Sequence, residues 1–101
     1  MAGVYKRPLA LADLAEIWSY IADDSERNAD KFLTLLDSKL ELLSTQARMG
    51  RDRPDLLPSL RSFLIDRYLV FYQPVPDGVE LIRVMHSARD IDPSDFDPGT
   101  N

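Results

Sequence analysis

The spacing of apolar residues changes once along this chain, and that change constrains the fold more than any other feature. From Leu9 to about Gln46 hydrophobic residues recur at intervals of three and four, and after Pro58 they recur at two. Leu11, Leu14, Trp18 and Ile21, with Ile17 beside them, place one apolar stripe along an amphipathic helix. Asp13 and Glu16 fall in its first turns, where the helix dipole favours acids. Asp23-Asp24-Ser25 breaks the pattern, and Ser25, followed by Glu26, is the predicted N-cap of a second helix. Ala29, Phe32, Leu36, Leu40 and Leu43 form the stripe of that helix, widened by Leu33 and Leu35. Two amphipathic helices joined by a short polar turn make an αα-hairpin, and each needs a surface to cover its apolar face.

Gly50, Pro54 and Pro58 forbid further helix, so 46–58 reads as a loop that is long for so small a domain. Residues 60–65, 68–73 and 79–85 then read as strands. Asp66-Arg67 is a candidate two-residue turn between the first two, and Pro76-Asp77-Gly78 a strong one between the last two. Tyr68-Leu69-Val70-Phe71-Tyr72 is apolar on both alternating sets, as a central strand covered on both faces would be. A short β-prone segment, 4–6, precedes Pro8 and joins the meander only after the helices. The predicted fold is α+β, a helical hairpin on a small antiparallel sheet in the order β-α-α-β-β-β. The helices are expected on one sheet face, with the other at least partly open and carrying the function. The expected organisation is one domain over 1–91, followed by a ragged acidic tail, 92–101, that Phe96 is placed to pin.

Composition narrows the function. There is no cysteine and one histidine among 101 residues, too few soft ligands for a transition-metal site; no metal and no cofactor are expected. The longest apolar runs are far shorter than a membrane span, and the first eight residues lack the apolar core of a secretory signal. The expectation is a cytoplasmic protein with no membrane contact. Net charge is −5, which argues against a general nucleic-acid binder, and no sequence-specific nucleic-acid binding is expected. The acids concentrate in the helical region and the tail, whereas every base in 46–90 is arginine: Arg48, Arg51, Arg53, Arg61, Arg67, Arg83 and Arg89. Arginine presents a planar fork suited to carboxylate or phosphate.

No standard catalytic fingerprint is present. Ser87, His86 and Asp90 are sequence neighbours, which do not converge in the geometry a triad requires. Arg83 within a strand, with Arg61 on another, would form an anion clamp on the open face, and His86 near the same edge would supply acid–base chemistry. The competing reading pairs these arginines with nearby acids and leaves His86 as a hydrogen-bonded, half-buried residue. Tyr68, Phe71 and Tyr72 would stack bases or, as the stronger reading, pack against the helices opposite Trp18 and Phe32.

Four stretches together resemble the RelE/ParE toxins of type II toxin–antitoxin modules: residues 12–22, Met49-Gly50-Arg51-Asp52-Arg53, 60–72, and 82–90 with its V-x-H-x-A-R-D ending. They occur in the family's order, from about residue 4 to 91. The resemblance implies a helical hairpin on an antiparallel sheet, in agreement with the periodicity. RelE-like members cut mRNA on the ribosome, and ParE-like members poison DNA gyrase. The D-L-x-x-I-W-x-Y-I helix and the C-terminal motif look closer to ParE, and 46–90 contains no lysine to match the RelE nuclease set. The resemblance therefore implies a gyrase-directed toxin without a catalytic centre, neutralised by a ParD-like antitoxin in a hetero-oligomer. A RelE-like ribosome-dependent RNase using Arg61, Arg83 and His86 is the alternative, and a non-toxic antitoxin-binding remnant the second. The partner-binding candidates are Arg51, Arg53, Arg61, Arg83, His86, Arg89, Leu33 and Leu36. Together they would form an apolar groove beside the helical hairpin, flanked by arginines, that seats an acidic amphipathic helix.

Overall fold

A computed structural model describes residues 3–96. Strand β1 (Gly3–Lys6) leads through Pro8 into helix α1 (Pro8–Ala22), and α2 (Glu26–Thr45) follows. Pro8 opens α1 because a first-turn residue needs no intrahelical donor. The predicted cap of α2 is present: Ser25 Oγ accepts from the Asn28 amide at 3.1 Å. A short 3-10 turn (Ala47–Met49) is followed by strands β2 (Arg51–Asp52), β3 (Arg61–Ile65), β4 (Tyr68–Val75) and β5 (Gly78–His86), then a second 3-10 turn (Pro93–Phe96). The predicted order holds, with the two-residue β2 added inside the arginine-rich loop.

The sheet order is β1-β5-β4-β3-β2. Strands β3, β4 and β5 form the expected antiparallel meander, but β1 lies parallel to β5, so the sheet is mixed rather than antiparallel. Two tight turns fix the direction of β5. No tight turn joins it to β1, whose connection runs through the helices and leaves the pairing sense free. Gly78 meets two demands here. It adopts φ +151°, and a Cβ on it would lie 1.9 Å from the carbonyl oxygen of Gly3, its partner in β1.

Both sheet faces are covered. Toward the helices, Tyr68, Val70, Leu81 and Val84 pack with Leu14, Ile17, Phe32, Leu36 and Leu40. On the other face, Phe71, Ile82 and Met85 pack with Leu56 and Leu60 of the loop and with Phe96 of the last 3-10 turn. The open functional face predicted from the sequence is therefore a second core. The doubly apolar pattern of 68–72 pointed this way, and the proline-containing loop supplies the cover. Phe96 is 2% exposed and meets Phe71 edge-on at 5.0 Å. The C-terminal segment thus belongs to the packed domain through Phe96, past the boundary expected at 91, and the rest of the expected tail lies outside the described residues.

Strand β5 carries a bulge. Phe71 pairs with Arg83 and Tyr72 with Leu81, leaving Ile82 as the extra residue. Leu81 and Val84 consequently face the helices although they are three apart, and Arg83 is turned off the helix-covered face.

Removing the Phe96 ring opens a void in the second core. Phe96→Ala is expected to cost about 3–4 kcal/mol in denaturant unfolding, whereas Leu64→Ala, at an exposed site on the same sheet, changes stability by less than about 1 kcal/mol.

Candidate functional site

Arg61 and His86 lie at opposite ends of the meander. Arg61 begins β3 opposite Tyr72, while His86 ends β5 opposite Tyr68. Tyr68 and Tyr72 are four residues apart on β4, so the two ends are separated by about 13 Å along the strand. The arginine–histidine set is not assembled into one centre.

Arg83 lies between the two ends, paired with Phe71, and is held by Asp13 of α1. Its Nε and Nη2 donate to the two carboxylate oxygens at 2.8 and 2.9 Å, and Nη1 donates to the Asp95 carbonyl at 3.0 Å. Asp13 Oδ2 also accepts from the Val84 amide at 3.0 Å. Strand β1 ends its pairing at Leu81, so this carboxylate takes over the edge that β1 leaves. Asp13 sits in the second turn of α1, and its role is this clamp rather than the dipole contact expected from the sequence. Arg83 and Asp13 side chains are 13% and 12% exposed. Hydrogen bonding to Asp13 raises the guanidinium pKa further against the opposing effect of burial. Arg89 donates to Asp95 at 2.8 Å, adding a second tie to the last 3-10 turn. His86 is exposed, stands edge-on to Tyr68 at 5.4 Å, and accepts from the Ala88 amide through Nδ1. A cleft of about 430 Å³ beside it is lined by Glu16, Tyr20, Tyr68, Met85, His86 and Arg89, among others.

At the opposite end, the arginine loop is fastened from beneath. The Tyr72 hydroxyl donates to the Ala47 carbonyl at 2.7 Å and accepts from the Gly50 amide at 2.9 Å. Arg61 Nη1 donates to the Gly50 and Arg48 carbonyls at 2.7 and 3.2 Å. Burial pushes the Tyr72 hydroxyl pKa up. A Cβ at Gly50 would lie 2.3 Å from that hydroxyl, so glycine is required by close approach rather than by backbone angle. Arg48, Met49 and Arg51 project outward from this knot. Arg53 pairs with Asp55 at 3.1 Å, which lowers the Asp55 pKa, and lies 5.9 Å over the Phe71 ring.

Residues 4–91 match the family described as the ParE toxin of the type II toxin-antitoxin system, parDE. The chain belongs to the ParE toxin family. Toxin ParE3 of Caulobacter vibrioides is 30% identical over 80 residues, covering 78% of this chain and 79% of that protein. Toxin RelE3 of the same organism is 28% identical over 88 residues, covering 86% and 96%. A solved structure described as the chromosomal ParDE TA system from P. aeruginosa shares the fold, with a TM-score of 0.68 over 85% of this chain and 96% of that chain at 19% identity.

In this ParE-family chain the predicted leucine and arginine contacts do not share a surface. Leu36 is fully buried under the sheet and is unavailable to a partner; its place in the α2 stripe makes it core. Leu33 is half-buried and lines a groove of about 480 Å³ between the helices, with Leu14, Ala15 and Trp18. That groove is bordered by the Lys6–Asp37 pair, not by the arginines expected beside it. Trp18 Nε1 donates to Asp30 across the hairpin at 3.0 Å, a contact that periodicity did not reveal. Asp13 and Tyr72 also shape these sites, and the sequence does not mark either for that role. Asp13 sits one residue before Leu14 in the recognised helix motif, and Tyr72 ends the most β-prone run, but only the tertiary pairing discloses their partners.

Two predictions separate these anchors. Asp13→Ala and Arg83→Ala should each destabilise the chain by about 3 kcal/mol, and their double-mutant cycle should return a coupling above about 1 kcal/mol. Gly50→Ala should cost about 1–3 kcal/mol by crowding, and in the Tyr72→Leu background, where the hydroxyl and the ring carbons at 2.7 and 2.9 Å are gone, its additional cost should fall by at least half.

Proposed function

We propose that this ParE-family toxin inhibits DNA gyrase through protein–protein contact and is neutralised by a ParD-like antitoxin. The observation that carries this reading is the engagement of Arg83. Its guanidinium is committed to Asp13 and the Asp95 carbonyl, which leaves it unsuited to gripping a scissile phosphate. The separation of Arg61 from His86 supports the same side, as does the net charge of −5, which is unfavourable against densely anionic ribosomal RNA. The antitoxin follows from the family and from the ParDE assembly whose fold the chain shares. An amphipathic segment of that antitoxin would cover the interhelical groove at Leu14, Trp18 and Leu33.

The ribosome-dependent RNase is the second reading. It is favoured by the likeness to Toxin RelE3 and by the presence of Arg48, Arg51 and Arg61 at one end of the sheet.

Purified gyrase, plasmid and the folded protein decide between them. The expected result is inhibited supercoiling or accumulated cleaved DNA, with an unchanged toe-print on translated mRNA. Codon-specific cuts that disappear in His86→Ala, with gyrase unaffected, would overturn the proposal in favour of the RNase. Leu33→Glu should weaken capture of the antitoxin encoded alongside by about tenfold or more, beyond any loss explained by its lowered melting temperature, which is measured on the toxin alone.

A further inference from the structure

Two arginines at the β2 edge of the sheet are not absorbed by the fold. Arg48 and Arg51 are exposed, and among the described residues neither forms an ion pair. Met49 stands between them in sequence and is 55% exposed. The backbone that carries them is held from beneath by Tyr72 and Arg61, at Ala47, Arg48 and Gly50. The loop has acids of its own: Asp52 follows Arg51, and Asp55 is already paired with Arg53. Four arginines (48, 51, 53 and 61) against these two acids leave a local charge of +2, in a chain whose net charge is −5. Asp37 and Glu41 of α2 line a hollow with Val4 and Lys6 of β1, at the other edge of the sheet.

We propose that Arg48, Met49 and Arg51 are the surface with which the toxin grips its protein target, at an acidic face that has an apolar hollow between its carboxylates. The proposal rests on the reading of the chain as a gyrase-directed toxin. Protein contacts are enriched in arginine and methionine and depleted in lysine, and residues 46–90 contain no lysine. Each guanidinium fork can hold a carboxylate through two parallel hydrogen bonds. The methionine between the forks adapts to an irregular apolar hollow. A nucleic-acid backbone offers phosphates to the forks but no hollow to the thioether, and Asp52 and the net charge of −5 oppose it. The loop also stands apart from the groove assigned to the antitoxin. Lys6 of that groove is on β1 and Arg51 is on β2, the two edges of the sheet, so four strand spacings, roughly 19 Å, lie between them. Target grip and antitoxin capture are therefore separable by mutation.

Gyrase supercoiling assays and antitoxin capture, run side by side on the full chain, test this. Arg48→Glu with Arg51→Glu should raise the concentration needed for half-inhibition by about a hundredfold, and Met49→Ala by about fivefold or more. Arg48→Lys with Arg51→Lys keeps the charge without the fork, and should fall between the wild type and the glutamate pair. All three variants alter exposed side chains, so each should keep the wild-type melting temperature and capture the antitoxin encoded alongside as tightly as the wild type does. Loop variants that inhibit gyrase as well as the wild type overturn the proposal and leave the gyrase reading standing. Loop variants that lose the antitoxin together with gyrase overturn the separation of the two surfaces and the proposal with it. A wild type inert toward gyrase overturns both the gyrase reading and the proposal, and cutting of translated mRNA that the loop variants abolish would then assign the same arginines to RNA.

Discussion

The contact on which the arrangement depends is the carboxylate of Asp13 at the edge of β5. Where β1 ends its pairing, a buried strand edge would be left with an unpaired amide, and such a group costs on the order of 1–3 kcal/mol. Asp13 receives the Val84 amide and the Arg83 fork together, and Arg83 extends the network to Asp95. Helix α1, the central part of β5 and the C-terminal turn are thereby joined by one ion pair and the hydrogen bonds that extend it. The bulge at Ile82 makes this possible, because regular alternation would have aimed Arg83 into the apolar layer beneath the helices.

The same network bears on function. An arginine on the last long strand is a natural candidate for phosphate binding. Here it is a structural tie, and the cations left exposed lie elsewhere. The two sheet faces are occupied by packing, so interaction surfaces must come from helix grooves, loop tips and the ends of the sheet. That distribution suits recognition of other proteins better than the formation of an enclosed reaction centre.

Much of the fold was legible because it rests on local rules. The change of period located the helices and the meander, Ser25 marked a cap, and Gly78 marked a turn. The parallel setting of β1 was not legible, since direction across a long connection leaves no local trace. The second core was only half legible: the pattern of 68–72 required cover on both faces, but nothing in the sequence named the 56–60 loop and Phe96 as the cover. For the site, residue types were informative and partners were not. Arg61, Arg83 and His86 looked like one set because all three are polar residues on or beside strands. Register separates the first from the last, and a carboxylate from a distant helix claims the middle one. Leu36 shows the converse limit, since a leucine-rich helix does not announce which of its leucines exceed the core's needs.

The knot beneath the arginine loop has a thermodynamic meaning for whatever meets it. Tyr72 and Arg61 secure four backbone groups, at Ala47, Arg48 and Gly50, from below, so Arg48, Met49 and Arg51 stand on a backbone that is already ordered. A partner arriving there does not have to freeze a wandering loop, and the conformational entropy that such freezing would consume, roughly 1–2 kcal/mol per backbone residue, has been lost during folding instead.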